Sequence, residues 1–168
     1  MVRVSFAVRP PAEIGALLAA LPRPAVDDVT WTVPERWIVK LRPLGHVPVE
    51  RHDALIDAVT DELDGAPPVR AALGPTVRRY GNQVLCAPVT GLDELSDAIF
   101  AATEPLVPVT HPQPFHAEVV LASGRIPAHL AGADLRTEWV VTAVSLIADR
   151  SSPRAVNLAD VATITLNG

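Results

Sequence analysis

The chain has 168 residues, 49% hydrophobic and 20% charged, with a formal net charge of −5. A chain of this length buries roughly two thirds of its unfolded surface, which supports a core without disulfides or metal, and its balance is that of a folded protein rather than a disordered one. The acidic total excludes a long nucleic-acid groove, whose affinity comes from clustered Lys and Arg, and leaves room for a small anionic ligand.

From the N-terminus, MVRVSFAVRPP has no long apolar stretch behind a basic start, so no signal peptide is read there and a cytoplasmic location is expected. Residues 2–8 alternate and are β-branched, which predicts a strand; Pro10 and Pro11 then open a short helix over 12–21, closed by Pro22 and Pro24. Residues 29–33 form a short extended piece. Residues 37–44 (WIVKLRPL) read as a strand ended by Gly45, and they hold Lys40, the only lysine among 14 Lys and Arg residues. Residues 48–63 carry Leu55, Ile56, Val59 and Leu63 at helical spacing, with Gly65 placed to end the helix.

Residues 69–73, 76–80 and 83–89 read as strands, with Gly81 and Asn82 as the turn between the last two. Cys86, the single cysteine, forms no intramolecular disulfide; its setting, QVLCAPV, is that of an inert thiol packed in a buried strand. Residues 92–103 form the next helix, with Leu92, Leu95 and Ile99 on its inward stripe. After the proline-rich loop EPLVPVTHPQP come a second marked strand, 115–121 (FHAEVVL), a variable connection to about 135, and two long strands, 138–148 and 155–166. The run WVVTAVSLIA is too short for a membrane helix, which needs about eighteen apolar residues. Strands and helices in this order fit an α+β fold, a single bilobal domain over residues 1–168, with two antiparallel sheets facing each other across a central cleft and helices outside.

Within that order, DVTWTVPERWIVKLRPLG resembles the first signature region of the two-histidine (2H) phosphoesterases, the superfamily of the bacterial 2′-5′ RNA ligases and cyclic phosphodiesterases. There a Trp, a Pro and an acidic residue precede a His-x-Thr strand ending in Leu-Gly, and Trp31, Pro34, Glu35, Leu41, Leu44 and Gly45 match that frame. FHAEVVLASGR resembles the second region. The opening RVSFAVRPPAEI and the ending WVVTAVSLIADRSSPRAVNL resemble the family's first strand and last hairpin, so the likeness covers nearly the whole chain. The resemblance implies a cleft in which two histidines act as general base and general acid while two hydroxyls hold phosphate oxygens. At those four positions this sequence has Ile38, Lys40, His116 and Glu118, so His116 alone is retained.

Alternation along a strand puts Ile38, Lys40 and Arg42 on one face, and His116, Glu118 and Val120 on another. Ile38 moves no proton, and losing a positioned acid or base lowers a rate by about 10²- to 10⁴-fold. Glu118 repels a phosphate by roughly 4 kcal/mol at about 4 Å and an effective dielectric near 20. Two arrangements follow: a Lys40–Glu118 salt bridge across the cleft, favoured as the resting state, or a ligand whose anionic group meets Lys40 and Arg42 while Glu118 accepts from a hydroxyl or amine.

Arg125, in the ASGR turn, is a further candidate for the cleft, since the family often has a basic residue nearby. His111 reads as a loop residue, and His46, His52 and His129 have no zinc-site spacing, so neither metal nor other cofactor is implied. Arg78, Arg79 and Tyr80 make a basic and aromatic spot too small for a single-strand platform. The expectation is a degenerate 2H phosphoesterase-like protein that binds a small phosphorylated or nucleotide-like ligand without efficient turnover. The alternatives are a divergent phosphodiesterase using His116, and a protein-interaction scaffold with a closed cleft.

Overall fold

The computed structural model describes residues 1–110 and 115–168; His111 lies outside the described residues. In chain order the elements are β1 (Val2–Val8), α1 (Ala12–Ala19), β2 (Val29–Trp31), β3 (Val39–Val47), α2 (His52–Glu62), β4 (Val69–Leu73), β5 (Arg78–Tyr80), β6 (Val84–Thr90), α3 (Asp93–Thr103), β7 (Glu118–Gly124), β8 (Thr137–Val141), β9 (Ala143–Asp149) and β10 (Leu158–Thr165). They build two antiparallel sheets, one ordered β10-β9-β1-β3 and the other β2-β7-β6-β4-β8 with β5 paired to β6. This is the α+β architecture expected from the sequence.

Alternation sorts each strand between two environments. Val4, Phe6 and Val8 of β1 and Val39 and Leu41 of β3 enter the main core, where they meet Ile14 and Leu18 of α1, Leu55 and Val59 of α2, and Leu95 and Ile99 of α3. Removing such side chains from water supplies the main drive for folding, about 1.5–3 kcal/mol for each one fully buried. Ala7, Ile38 and Ile147 form a separate apolar cluster, covered in part by Leu158. In the second sheet, Val119 and Leu121 of β7 join the main core, while Glu118 and Val120 line a cavity.

The structure departs from the sequence reading in three places that matter for the cavity. The expected long strand 138–148 is two strands in different sheets, β8 and β9, broken at Thr142. Trp139 and Val141 point to the core, then Val144, Leu146 and Ala148 do so, a one-residue phase change that the unbroken apolar run conceals. The strand expected to end at Gly45 continues through it to Val47. Gly45 makes this passage at a φ of 71°, next to a register shift in the β1–β3 pairing. The second marked strand starts at Glu118 rather than 115, so His116 stands on its lead-in.

Candidate functional site

A cavity of about 1020 Å³ opens between the sheets, and Lys40, Arg42, His116 and Glu118 all line it. Residues nearly eighty apart in the chain therefore share one hollow, of the size that holds small-molecule ligands. The first wall comes from β1, β3 and β9. It contributes Arg3, Ser5, Lys40 and Asp149, the apolar Ile38 and Ile147, and Arg36 from the turn before β3. The second wall comes from β7 and its lead-in, which contribute Phe115, His116, Glu118 and Val120.

The first wall is cationic. Lys40 keeps much of its length in solvent, but partial burial of the ammonium and repulsion from Arg3 and Arg36 hold its pKa below the ordinary lysine value, with Asp149 pulling the other way. Arg36 is neutralised by Asp149 at 3.2 Å. Burial disfavours the charged form of Asp149, but the hydroxyl and N–H of Ser151 and the Arg36 guanidinium outweigh it, so its carboxyl ionises below the usual range. Neither Arg3 nor Lys40 has an acidic partner within 4 Å among the described residues. An anion entering here meets two cations without having to displace a carboxylate.

Two expectations for this wall are corrected. The Lys40–Glu118 salt bridge does not form: both side chains line the cavity, but the ion pairs among the described residues are Arg9–Asp160, Arg36–Asp149 and Arg70–Glu138. Nor does Arg42 project beside Lys40. Phe6 pairs with Arg42 and Ala7 with Lys40, which leaves Leu41 as an extra residue in β3 and breaks the alternation there. Arg42 is buried, stacks over Phe100 with its guanidinium 4.6 Å from the ring centre, and donates to Thr103 Oγ1 and to the carbonyls of Pro43 and Val107. It braces the C-terminal end of α3 to β3.

The second wall is acidic and aromatic. His116 is exposed, with its ring 5.6 Å from that of Tyr80 and tilted by 36°. Glu118 is half-buried, and its Oε2 is shut off from solvent with no hydrogen-bond partner among the described residues. Burial, then the Cys86 thiol and Glu118, push the Tyr80 hydroxyl up; burial, then Glu118, push Cys86 up well beyond the ordinary thiol range. Both stay protonated at neutral pH, so Cys86 is no nucleophile.

Arg125 is not brought to this cavity. It follows β7 at the end remote from His116 and borders a separate shallow hollow with Asp28, Gln83 and Gly124. The chain approaches closely there: a side chain at Gly124 would meet Asp28 O at 2.0 Å. No group of three or more metal-ligating side chains comes together among the described residues, and no helix there is long and apolar enough to cross a membrane.

Sequence reasoning missed Arg3, Arg36 and Asp149. Period-2 alternation in β1 could have put Arg3 on the face of Ser5 and Ala7. Asp149 became visible only once Arg3 and Asp149 were paired across β1 and β9.

Neither a family model nor any curated protein matches the sequence. Solved structures do match in shape. TT0787 of Thermus thermophilus superposes with a TM-score of 0.82 at 22% identity, over 99% of this chain and 98% of that one. E. coli LigT complexed with 3′-AMP gives 0.81 at 18%, over 99% of each chain. The MHV ns2 PDE domain gives 0.60 at 11%, over 88% of this chain and 99% of that one. The chain has the two-sheet, central-cleft fold of the LigT-like 2H phosphoesterases.

Proposed function

We propose that this protein binds a small phosphorylated or nucleotide-like molecule in the central cavity and does not carry out the two-histidine hydrolysis that the sequence resemblance implies. The observation that carries the reading is the pair of cations, Arg3 and Lys40, on the wall of a cavity of about 1020 Å³ with no acidic partner within 4 Å among the described residues. E. coli LigT, of the same fold, has been crystallised with 3′-AMP, NADP+, ATP and phosphate, which supports a ligand of this class for this cleft. The first histidine position is filled by Ile38, buried against Ala7 and Ile147, so nothing there takes up or delivers a proton. Lys40 is assigned to the anionic group; His116 and Glu118 face the rest of the ligand.

Calorimetric titration of 3′-AMP and inorganic phosphate tests this. Binding to the wild type, weakened at least about tenfold by Lys40→Ala, is expected from loss of one charge-assisted contact. Equal affinity in both proteins contradicts it.

The exposure of His116 at the cavity supports a second reading, a divergent phosphodiesterase with one imidazole. Turnover of 2′,3′-cyclic nucleotides that disappears in His116→Ala would establish it.

A further inference from the structure

The two walls of the cavity differ in charge, and this specifies the ligand more narrowly than "an anion". Resting on the reading of the cavity as a phosphate-ligand site, we infer that its ligand is dipolar: a phosphate monoester at one end for Arg3 and Lys40, and a cationic nitrogen at the other for Glu118.

Glu118 Oε2 is inaccessible to solvent and accepts no hydrogen bond from the described residues. A carboxylate oxygen in that state is unfavourable unless a donor reaches it, and a charged donor offsets the loss best. Among the described residues no charged donor reaches it: no Lys, Arg or His nitrogen lies within 4 Å of this carboxylate, and the Cys86 thiol beside it is a weak, neutral donor.

The other acids lining the cavity are not equivalent. Asp149 already accepts from Arg36 and from the Ser151 N–H, and Asp97 is exposed on α3, where water hydrates it. Glu118 is the cavity acid with an unmet acceptor. Its neighbours do not relieve it with charge, because the Cys86 thiol and the Tyr80 hydroxyl are both neutral at pH 7.

Phosphate against Glu118 is disfavoured by like-charge repulsion, so the phosphate goes to the opposite wall and the carboxylate is left facing the ligand's other end. An ammonium there meets both needs at once, in hydrogen bonding and in charge. A neutral hydroxyl meets only the first.

A matched pair of probes reads this directly: glucosamine 6-phosphate and glucose 6-phosphate, which differ at one position by an ammonium in place of a hydroxyl. Calorimetry on the wild type should give at least about tenfold tighter binding of the amine. In Glu118→Gln, which keeps the shape and removes the charge, the preference should collapse toward unity while glucose 6-phosphate binds as well as before or better. Lys40→Ala should weaken both sugars by the same factor. Equal binding of the pair to the wild type overturns the inference and leaves the phosphate site standing, as does a preference that survives in Glu118→Gln. Failure of either sugar to bind, together with failure of 3′-AMP and phosphate, overturns both readings. The wild-type comparison needs no variant, so it stands even if Glu118→Gln folds poorly.

Discussion

The two walls of the cleft come from different sheets, β3 at the edge of one and β7 inside the other, and they differ in charge. On the first, Ile38 has been absorbed into an apolar cluster with Ala7 and Ile147, and the polar groups that remain are mainly cations: Arg3, Arg36 and Lys40. On the second, His116 is exposed and Glu118 brings a carboxylate to the cavity. A catalytic cleft of this type needs a proton carrier on each side, whereas a receptor for a polar molecule needs complementary charge. On the proposed ligand-binding reading, the difference between the walls is of the second kind.

Four variants break or sharpen that contrast. Arg42→Ala should have the largest effect on the first wall as a structure. It removes a buried guanidinium that accounts for contacts to Thr103, Pro43, Val107 and Phe100, and should lower stability by about 3 kcal/mol in urea unfolding. A loss below about 1 kcal/mol would show that Arg42 is not the brace described.

Removing both free cations, with Arg3→Ala and Lys40→Ala together, should weaken binding of 3′-AMP about 100-fold while leaving the melting temperature nearly unchanged. Additive factors near tenfold each would mark the cations as independent contacts.

Ile38→His sets an imidazole among Ala7, Ile147 and Leu158, and should destabilise the protein by about 2 kcal/mol through the buried polar group. It should bring no cyclic phosphodiesterase activity, because Lys40 and Glu118 still stand where the resembled pattern has hydroxyls. Activity gained by this single change would mean that the frame around the site is intact.

The smallest effect belongs to Asp149→Asn, which unties Arg36. Asp149 has a folded pKa below its unfolded one, so its contribution is present above the ordinary carboxylate pKa of about 4 and is lost as the pH falls through the lower folded value. The variant should be about 1 kcal/mol less stable at pH 7, with the difference shrinking as the pH falls through the folded pKa of Asp149, and a few-fold tighter for phosphate. A stability difference that persists in acid would remove the ion pair as its cause.

Much of this architecture could be read from the residues. Alternation in RVSFAV, WIVKLRPLG and FHAEVVLA placed the strands that flank the cavity, and the frame of Trp31, Pro34, Leu44 and Gly45 pointed to the right fold despite the lost His-x-Thr pairs. What could not be read was set by strand register. The extra residue Leu41 in β3 turns Arg42 away from the face shared by Ile38 and Lys40. The phase change at Thr142 is invisible in an apolar run that is buried on both faces in β9. The separation of Lys40 from Glu118 depends on how far apart two sheets stand, which no local pattern encodes.

One measurement tests the central claim most directly: the phosphorus NMR spectrum of 2′,3′-cyclic AMP incubated with the protein. The resonance should broaden or shift in the presence of the wild type, should do so far less with Lys40→Ala, and no monoester peak should grow. A monoester peak that grows with the wild type and is absent with His116→Ala would contradict the account and make the cleft an active site.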